Sequence, residues 1–169
     1  EQFSRFVQDK PQFMPEHWIR EGYPSIYPNH PVVDIPWATC IEFCNWLAQL
    51  YNHSYRLPYD YEWQVVAGWR PEEKITYKYP WGMNWDPSKC NSRPTGIGAA
   101  TTPVGVFHSG RSYYNVFDLA GNVWEWTGTP WKNDNSTLLS TQDFDHMKIA
   151  EVVICGGSFS GIDPSQFAV

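Results

Sequence analysis

Residues 113–126, YYNVFDLAGNVWEW, constrain the fold of this chain more than any other stretch. Val116, Phe117, Leu119, Val123, Trp124 and Trp126 are apolar, and two carboxylates, Asp118 and Glu125, lie inside the run. Ala120, Gly121 and Asn122 between them are a tight-turn signal. A carboxylate carried into such surroundings costs free energy unless something pairs with it. Carboxylates on either side of a glycine turn, with carbonyls pointing inward beside them, form the all-oxygen set by which one short segment holds a hard cation such as calcium. Two ordinary acids accepting hydrogen bonds at the ends of a turn satisfy the same spacing, so the residues alone leave both readings open.

A chain of 169 residues suits one domain with a sizeable core. Aromatic residues make up 17%, with 10 Trp and 10 Tyr, beside 14 Pro and 12 Gly. That mixture predicts a loop-rich fold packed by large rings rather than by long helices. The net charge of −6 and the lack of a basic run argue against a nucleic-acid partner. No apolar stretch approaches the length of a membrane span. Cys40 and Cys44 lie four apart on a predicted helix while Cys90 and Cys155 stand alone, so no zinc pattern arises and small buried thiols are expected.

Taken in order, Phe3, Phe6 and Val7 share one face of a helix at the start. Residues 11–36 form a proline- and aromatic-rich connection that is neither low-complexity nor a flexible linker. Ile41, Cys44, Leu47, Ala48 and Tyr51 recur at the helical period, predicting a helix from Trp37 to Tyr51 that Asn52, His53 and Ser54 break. A shorter helix begins at Asp60 and ends at Gly68. The segment from Trp131 to Ile149 is polar, with Asp134, Asp143, Asp145 and His146, and reads as an exposed insertion before a strand over Glu151–Ile154. His146 there is expected to be a solvated loop histidine rather than a metal ligand.

The string DLAGNVWEW at 118–126 resembles the signature of the formylglycine-generating enzyme, or sulfatase-modifying factor, family. RLP at 56–58 with Glu62-Trp63, YPWG at 79–82, CNS at 90–92, TPVG at 102–105 and GGSF at 156–159 resemble further elements of that family. The resemblance implies an α+β, C-type-lectin-like scaffold with short strands, two main helices and long ordered loops. It implies one such domain over 1–169, incomplete at both ends, with a neighbouring segment or a second chain completing the sheet. It also implies a structural calcium loop, with side-chain oxygens from Asp118 and Glu125 and carbonyl oxygens from Gly121 and Val123. Arg56 and Glu62 are expected to be a buried pair. Tyr59 stands where the family has a capping Thr, and Asp60 is expected to take over the cap.

The departures matter as much. Catalytic members carry two copper-binding cysteines after the GGSF element, and those positions here are Gly161 and Gln166. Neither side chain forms a thiolate, the nucleophile and soft-metal ligand of that chemistry. Cys155, where the family usually has Arg, is expected to face the interior. A second calcium loop keeps Asn91 but has no acid over residues 93–105. The five histidines lack the spacing that holds iron in the sulfoxide-synthase branch.

The expectation is therefore a non-catalytic domain on a calcium-stabilised scaffold, without copper or haem. It would bind a protein or glycan through Phe159, Ser160, Ile162, Asp163, Ser165 and Gln166, as in retroelement-diversified variable proteins of this superfamily. The alternatives are an iron- or copper-dependent oxidase with ligands outside this chain, and a structural subunit of a larger complex.

Overall fold

The structure is a computed structural model that describes residues 1–21, 29–96, 100–131 and 152–169. It mixes helices with short strands. Among the described residues the α-helices are α1 (Gln2–Asp9), α2 (Glu16–Glu21), α3 (Trp37–Tyr51) and α4 (Asp60–Gly68). Strands β1 (Trp69–Arg70) and β2 (Ile75–Thr76) form one antiparallel pair. Strands β3 (Glu125–Pro130) and β4 (Val152–Cys155) form another, in the register Glu125↔Cys155 and Trp126↔Ile154. The acidic insertion residues Asp134, Asp143, Asp145 and His146 lie outside the described residues.

Helix α3 has the predicted limits, and Asn52 ends it in the left-handed conformation (φ 53°) that Asn tolerates better than most residues. Its buried face differs from the periodic one. Trp37, Thr39, Cys44 and Trp46 are buried, whereas Tyr51 is 47% exposed. The cause is α1, whose Phe6 and Val7 are almost wholly buried and gather Phe43, Trp46 and Leu47 into one cluster. Phe6 stacks on Phe13 and Phe43 on Trp46, and the Trp46 indole donates to Asp9 at 3.0 Å.

Helix α4 buries Trp63 and Ala67 against Leu119, with Cys155 and Val169 packed alongside. At its start Glu62 accepts the Tyr59 backbone N–H at 2.9 Å. Asp60 does not cap the helix. Thr129 in β3 accepts its N–H and donates to its carboxylate, both at 2.9 Å, so Asp60 ties α4 to β3 instead. Arg56 and Glu62 do pair, through a two-pronged contact at 2.6 and 2.8 Å. The pair is not buried: the Arg56 side chain is 53% exposed and lies across the Tyr59 ring.

β3 is tied to segments other than β4 as well. The Trp37 indole donates to the Thr127 carbonyl, the Trp126 indole donates to the Ile35 carbonyl, and Gly128 N–H donates to the Pro58 carbonyl, each at 2.8 Å. The first and last of these satisfy backbone groups of β3 itself. A third cluster of Tyr79, Cys90, Ala120 and Phe167, flanked by Trp81 and Trp85, packs beneath the loops. Two of these three clusters are rich in aromatic rings, as the composition predicts, and the one at α4 is built on Trp63 with aliphatic neighbours. Among the described residues no helix is long and apolar enough to cross a membrane.

Candidate functional site

The turn between the two carboxylates is fixed by backbone contacts. Asp118, Gly121 and Asn122 all have positive φ (59°, 78° and 64°), a region open to Gly and tolerated by Asn and Asp. At Gly121 a Cβ would sit 2.3 Å from the Asn91 carbonyl oxygen, so glycine is required for space as well. Gly121 N–H donates to the Gly156 carbonyl at 2.7 Å and Asn122 N–H to the Asn91 carbonyl at 2.9 Å.

Asn122, which the sequence suggests only as a turn residue, is a buried knot. Its Oδ1 accepts from Thr102 N–H at 2.9 Å and from Asn91 Nδ2 at 3.3 Å, and its Nδ2 donates to the Thr102 carbonyl at 3.2 Å. Asn91 also donates to the Ala100 carbonyl, while its buried Oδ1 has no hydrogen-bond partner among the described residues. The family resemblance marks both positions, but nothing in the sequence shows that the two amides bond to each other.

The carboxylates project from this frame toward neutral donors. Asp118 Oδ2 accepts the Gly105 backbone N–H at 2.6 Å. Glu125 Oε2 accepts the Trp63 indole N–H at 2.7 Å. Neither has a cationic partner among the described residues. Burial raises the Asp118 carboxyl above its ordinary range, against the lowering effect of the Gly105 N–H. Burial pushes Glu125 up to about 7; the Trp63 donor opposes this, and the nearby Asp118 charge adds to it. Two carbonyls belong to the same neighbourhood: a Cβ on Gly156 would lie 3.6 Å from the Leu119 oxygen and 3.8 Å from the Val123 oxygen.

The segment after β4 runs over Phe167, which is fully buried and stacks on Trp85 with centroids 4.8 Å apart. At Gly161 a Cβ would meet the Phe167 ring at 2.6 Å. Any side chain there, cysteine included, needs that ring to move. Gln166 is used locally, its Oε1 accepting the N–H groups of Ile162 and Asp163 at 3.1 and 3.3 Å. Asp163 in turn accepts the Ser165 N–H at 2.8 Å. Ser160, Ile162, Asp163, Ser165 and Gln166 are exposed, with Ile162 at 64%. Phe159 is half-buried and lines, with Trp124, Trp126, Glu125 and Phe43, a groove of about 810 Å³.

All four cysteines are free thiols. Burial pushes Cys155 and Cys90 up to about 11 and Cys40 up to about 12, each far from thiolate formation at neutral pH. Cys155 packs against the Trp63 cluster, facing inward.

The fold and site define a mixed helix and short-strand domain built around an aromatic core and a glycine-turned pair of carboxylates. Residues 1–168 match the model of the sulfatase-modifying factor enzyme 1-like domain, and the chain belongs to that family. It is 31% identical over 119 residues to the formylglycine-generating enzyme of Thermomonospora curvata, covering 63% of this chain and 36% of that protein. It is also 31% identical over 111 residues to the inactive C-alpha-formylglycine-generating enzyme 2 of Bos taurus, covering 60% of this chain and 34% of that one. The matches thus span about a third of the length of these curated relatives. The fold is shared with Treponema denticola variable protein 1 at a TM-score of 0.63 and 19% identity, covering 83% of this chain and 63% of that one.

Proposed function

We infer that this domain is a non-catalytic binding module carried on a calcium-stabilised core. The observation that carries the reading is the packing at Gly161. Neither family cysteine position holds a thiol, the space beside Gly161 is filled by the Phe167 ring, and Gln166 is spent on capping the neighbouring turn. A relative named as an inactive enzyme of the family accords with a scaffold kept without that chemistry. The binding face would be Ser160, Ile162, Asp163, Ser165 and Gln166 with Phe159 at its edge, and the ligand a protein or a glycan.

Calcium would be held by the Asp118 and Glu125 carboxylates with the Gly121 and Val123 carbonyls. What supports the fit is the donor chemistry: oxygens only, and two carboxylates held near each other in a buried place with no cation beside them among the described residues. The ion would supply the countercharge. Gly105 N–H and the Trp63 indole orient the carboxylates by occupying one oxygen of each.

Elemental analysis of the purified protein tests both parts. The expected result is about one calcium per chain, as one such loop requires, with neither iron nor copper in comparable amount. Near-stoichiometric copper or iron, or oxygen consumption driven by a thiol peptide, would overturn the non-catalytic reading. Separately, calcium should raise the melting temperature by roughly 5–10 °C at a hundredfold excess over its Kd. Asp118→Ala with Glu125→Ala should abolish that gain. A double variant whose melting still responds to calcium would remove the loop from consideration.

A further inference from the structure

A second cleft, of about 400 Å³, is lined by Arg70, Trp81, Lys89, His108, Arg111 and Tyr113, with Ser109, Ser112 and Asn115 at its wall. It is assembled from β1, the turn at 79–82, the turn at 87–89 and the loop at 108–115. In a chain of net charge −6, three permanently cationic side chains meet here and no carboxylate lines the cleft.

Arg70 is the centre of it. Its side chain is more than nine-tenths buried (8% exposed). Nη2 donates to the Pro80 carbonyl at 2.6 Å, and the guanidinium lies 4.6 and 5.5 Å from the centroids of the Tyr77 and Tyr113 rings. Those contacts account for one nitrogen and the flat faces. Nη1 is buried and has no hydrogen-bond partner among the described residues. A buried guanidinium nitrogen without an acceptor is costly, and an arginine fork matches the oxygens of a carboxylate or phosphate. Two acids stand behind the lining residues: Glu72 accepts the Tyr113 hydroxyl, and Asp86 lies 3.8 Å from Lys89, so phosphate would share Lys89 with Asp86.

The 87–89 and 108–111 walls are packed against each other. A Cβ on Gly110 would sit 1.9 Å from the Lys89 carbonyl oxygen, so the 108–110 turn is pressed onto the backbone of Lys89. Arg111 Nη1 donates to the His108 carbonyl at 3.2 Å, which holds that side chain at the rim.

We propose that this cleft binds a phosphate group, with Arg70 Nη1 as the central donor and Lys89 and Arg111 as the flanking charges. The group is either the free ion or the end of a phosphate monoester, whose carbon skeleton would lie on the Trp81 and Tyr113 rings. The site adjoins the carboxylate turn in sequence through Tyr113 and Asn115, but none of its lining residues belongs to the proposed calcium set or to residues 159–166.

Calorimetric titration of the whole chain with inorganic phosphate, and then with glucose 6-phosphate, tests this at constant low ionic strength. One-to-one binding is expected; tighter binding of glucose 6-phosphate assigns the site to esters, and equal or weaker binding assigns it to the free ion. Lys89→Met with Arg111→Met, both at the rim, should raise the Kd at least about tenfold without changing the melting temperature of the unliganded protein. Arg70→Lys keeps the charge but loses the fork, and should weaken binding by a similar factor. No heat and no thermal shift up to roughly 10 mM of either ligand would overturn the proposal. Binding unchanged in both variants would overturn it equally.

Discussion

The turn at 118–125 and the cleft around Arg70 bury charge of opposite sign in opposite ways. Asp118 and Glu125 come from one continuous stretch and meet neutral N–H donors. Arg70 meets the Pro80 carbonyl and the Tyr77 ring from the segment just after it and the Tyr113 ring from a later loop, and its cleft is completed by Lys89 and Arg111 from other stretches. In both places hydrogen bonds and packing hold the group without a direct countercharge among the described residues. The difference is in how the frame is made. The acidic site is dictated by a local string with a glycine at one obligatory position, whereas the basic one exists only after the loops have packed. Charge buried locally can be read along a chain, and charge buried by assembly cannot.

Substitutions in the two frames separate these cases most strongly. Gly121→Ala adds both a Cβ 2.3 Å from the Asn91 oxygen and strain at a φ of 78°. It should cost roughly 3–5 kcal/mol in urea unfolding. Gly110→Ala meets the Lys89 oxygen without a positive φ and should cost less, roughly 2–4 kcal/mol. Equal costs would show that backbone strain adds nothing at the acidic turn.

Trp63→Phe comes next. It keeps most of the buried ring and deletes the one donor to Glu125, for an expected loss of about 1–2 kcal/mol at neutral pH. Parent-like stability would mean that the carboxylate finds water instead.

The smallest effect is expected at Arg56, where an exposed pair serves as the control for both buried sites. Glu62 is held down at about 2, first by its bonds to Arg56 and then by the Tyr59 N–H. Its folded pKa lies below its ordinary value, so the unfolded chain binds more protons between those two limits. The stability it contributes is present above about pH 4.5 and is lost as pH falls toward 2. Arg56→Met should cost at most ~1 kcal/mol at pH 7, because solvent screens the pair. The gap from the parent should close across that acid window. A gap constant down to pH 2 would assign the loss to packing on Tyr59 rather than to charge.

Much of the scaffold is legible along the chain because its signals are local. The period of Trp37–Tyr51, the stop at Asn52, the short helix from Asp60 and the strand before Gly156 need no distant partner to be recognised. What is not legible depends on neighbours far away in sequence. Trp46 is buried because α1 lies beside it, whereas Tyr51 has the Tyr55 ring beside it and stays half exposed. Asp60 turns from its own helix to Thr129, and Arg56 and Glu62 pair in solvent. At the candidate sites the two carboxylates and the glycine stand out in the sequence. The Asn91–Asn122 knot, the Phe167 ring beside Gly161 and the convergence on Arg70 emerge only from tertiary packing.

The bonds that tie β3 to segments far back in the chain bear on how it folds in time. Trp37 reaches Thr127 across 90 residues, Trp126 reaches Ile35 across 91, and Asp60 reaches Thr129 across 69. Closing such distances costs chain entropy before any of these contacts can repay it, which slows folding. During synthesis α3 and α4 emerge well before β3 does. Until β3 arrives, the Trp37 bond to Thr127, the Pro58 carbonyl's bond to Gly128 and the Asp60 bonds to Thr129 cannot form, and the core clusters close only when β4 and the buried Phe167 follow it.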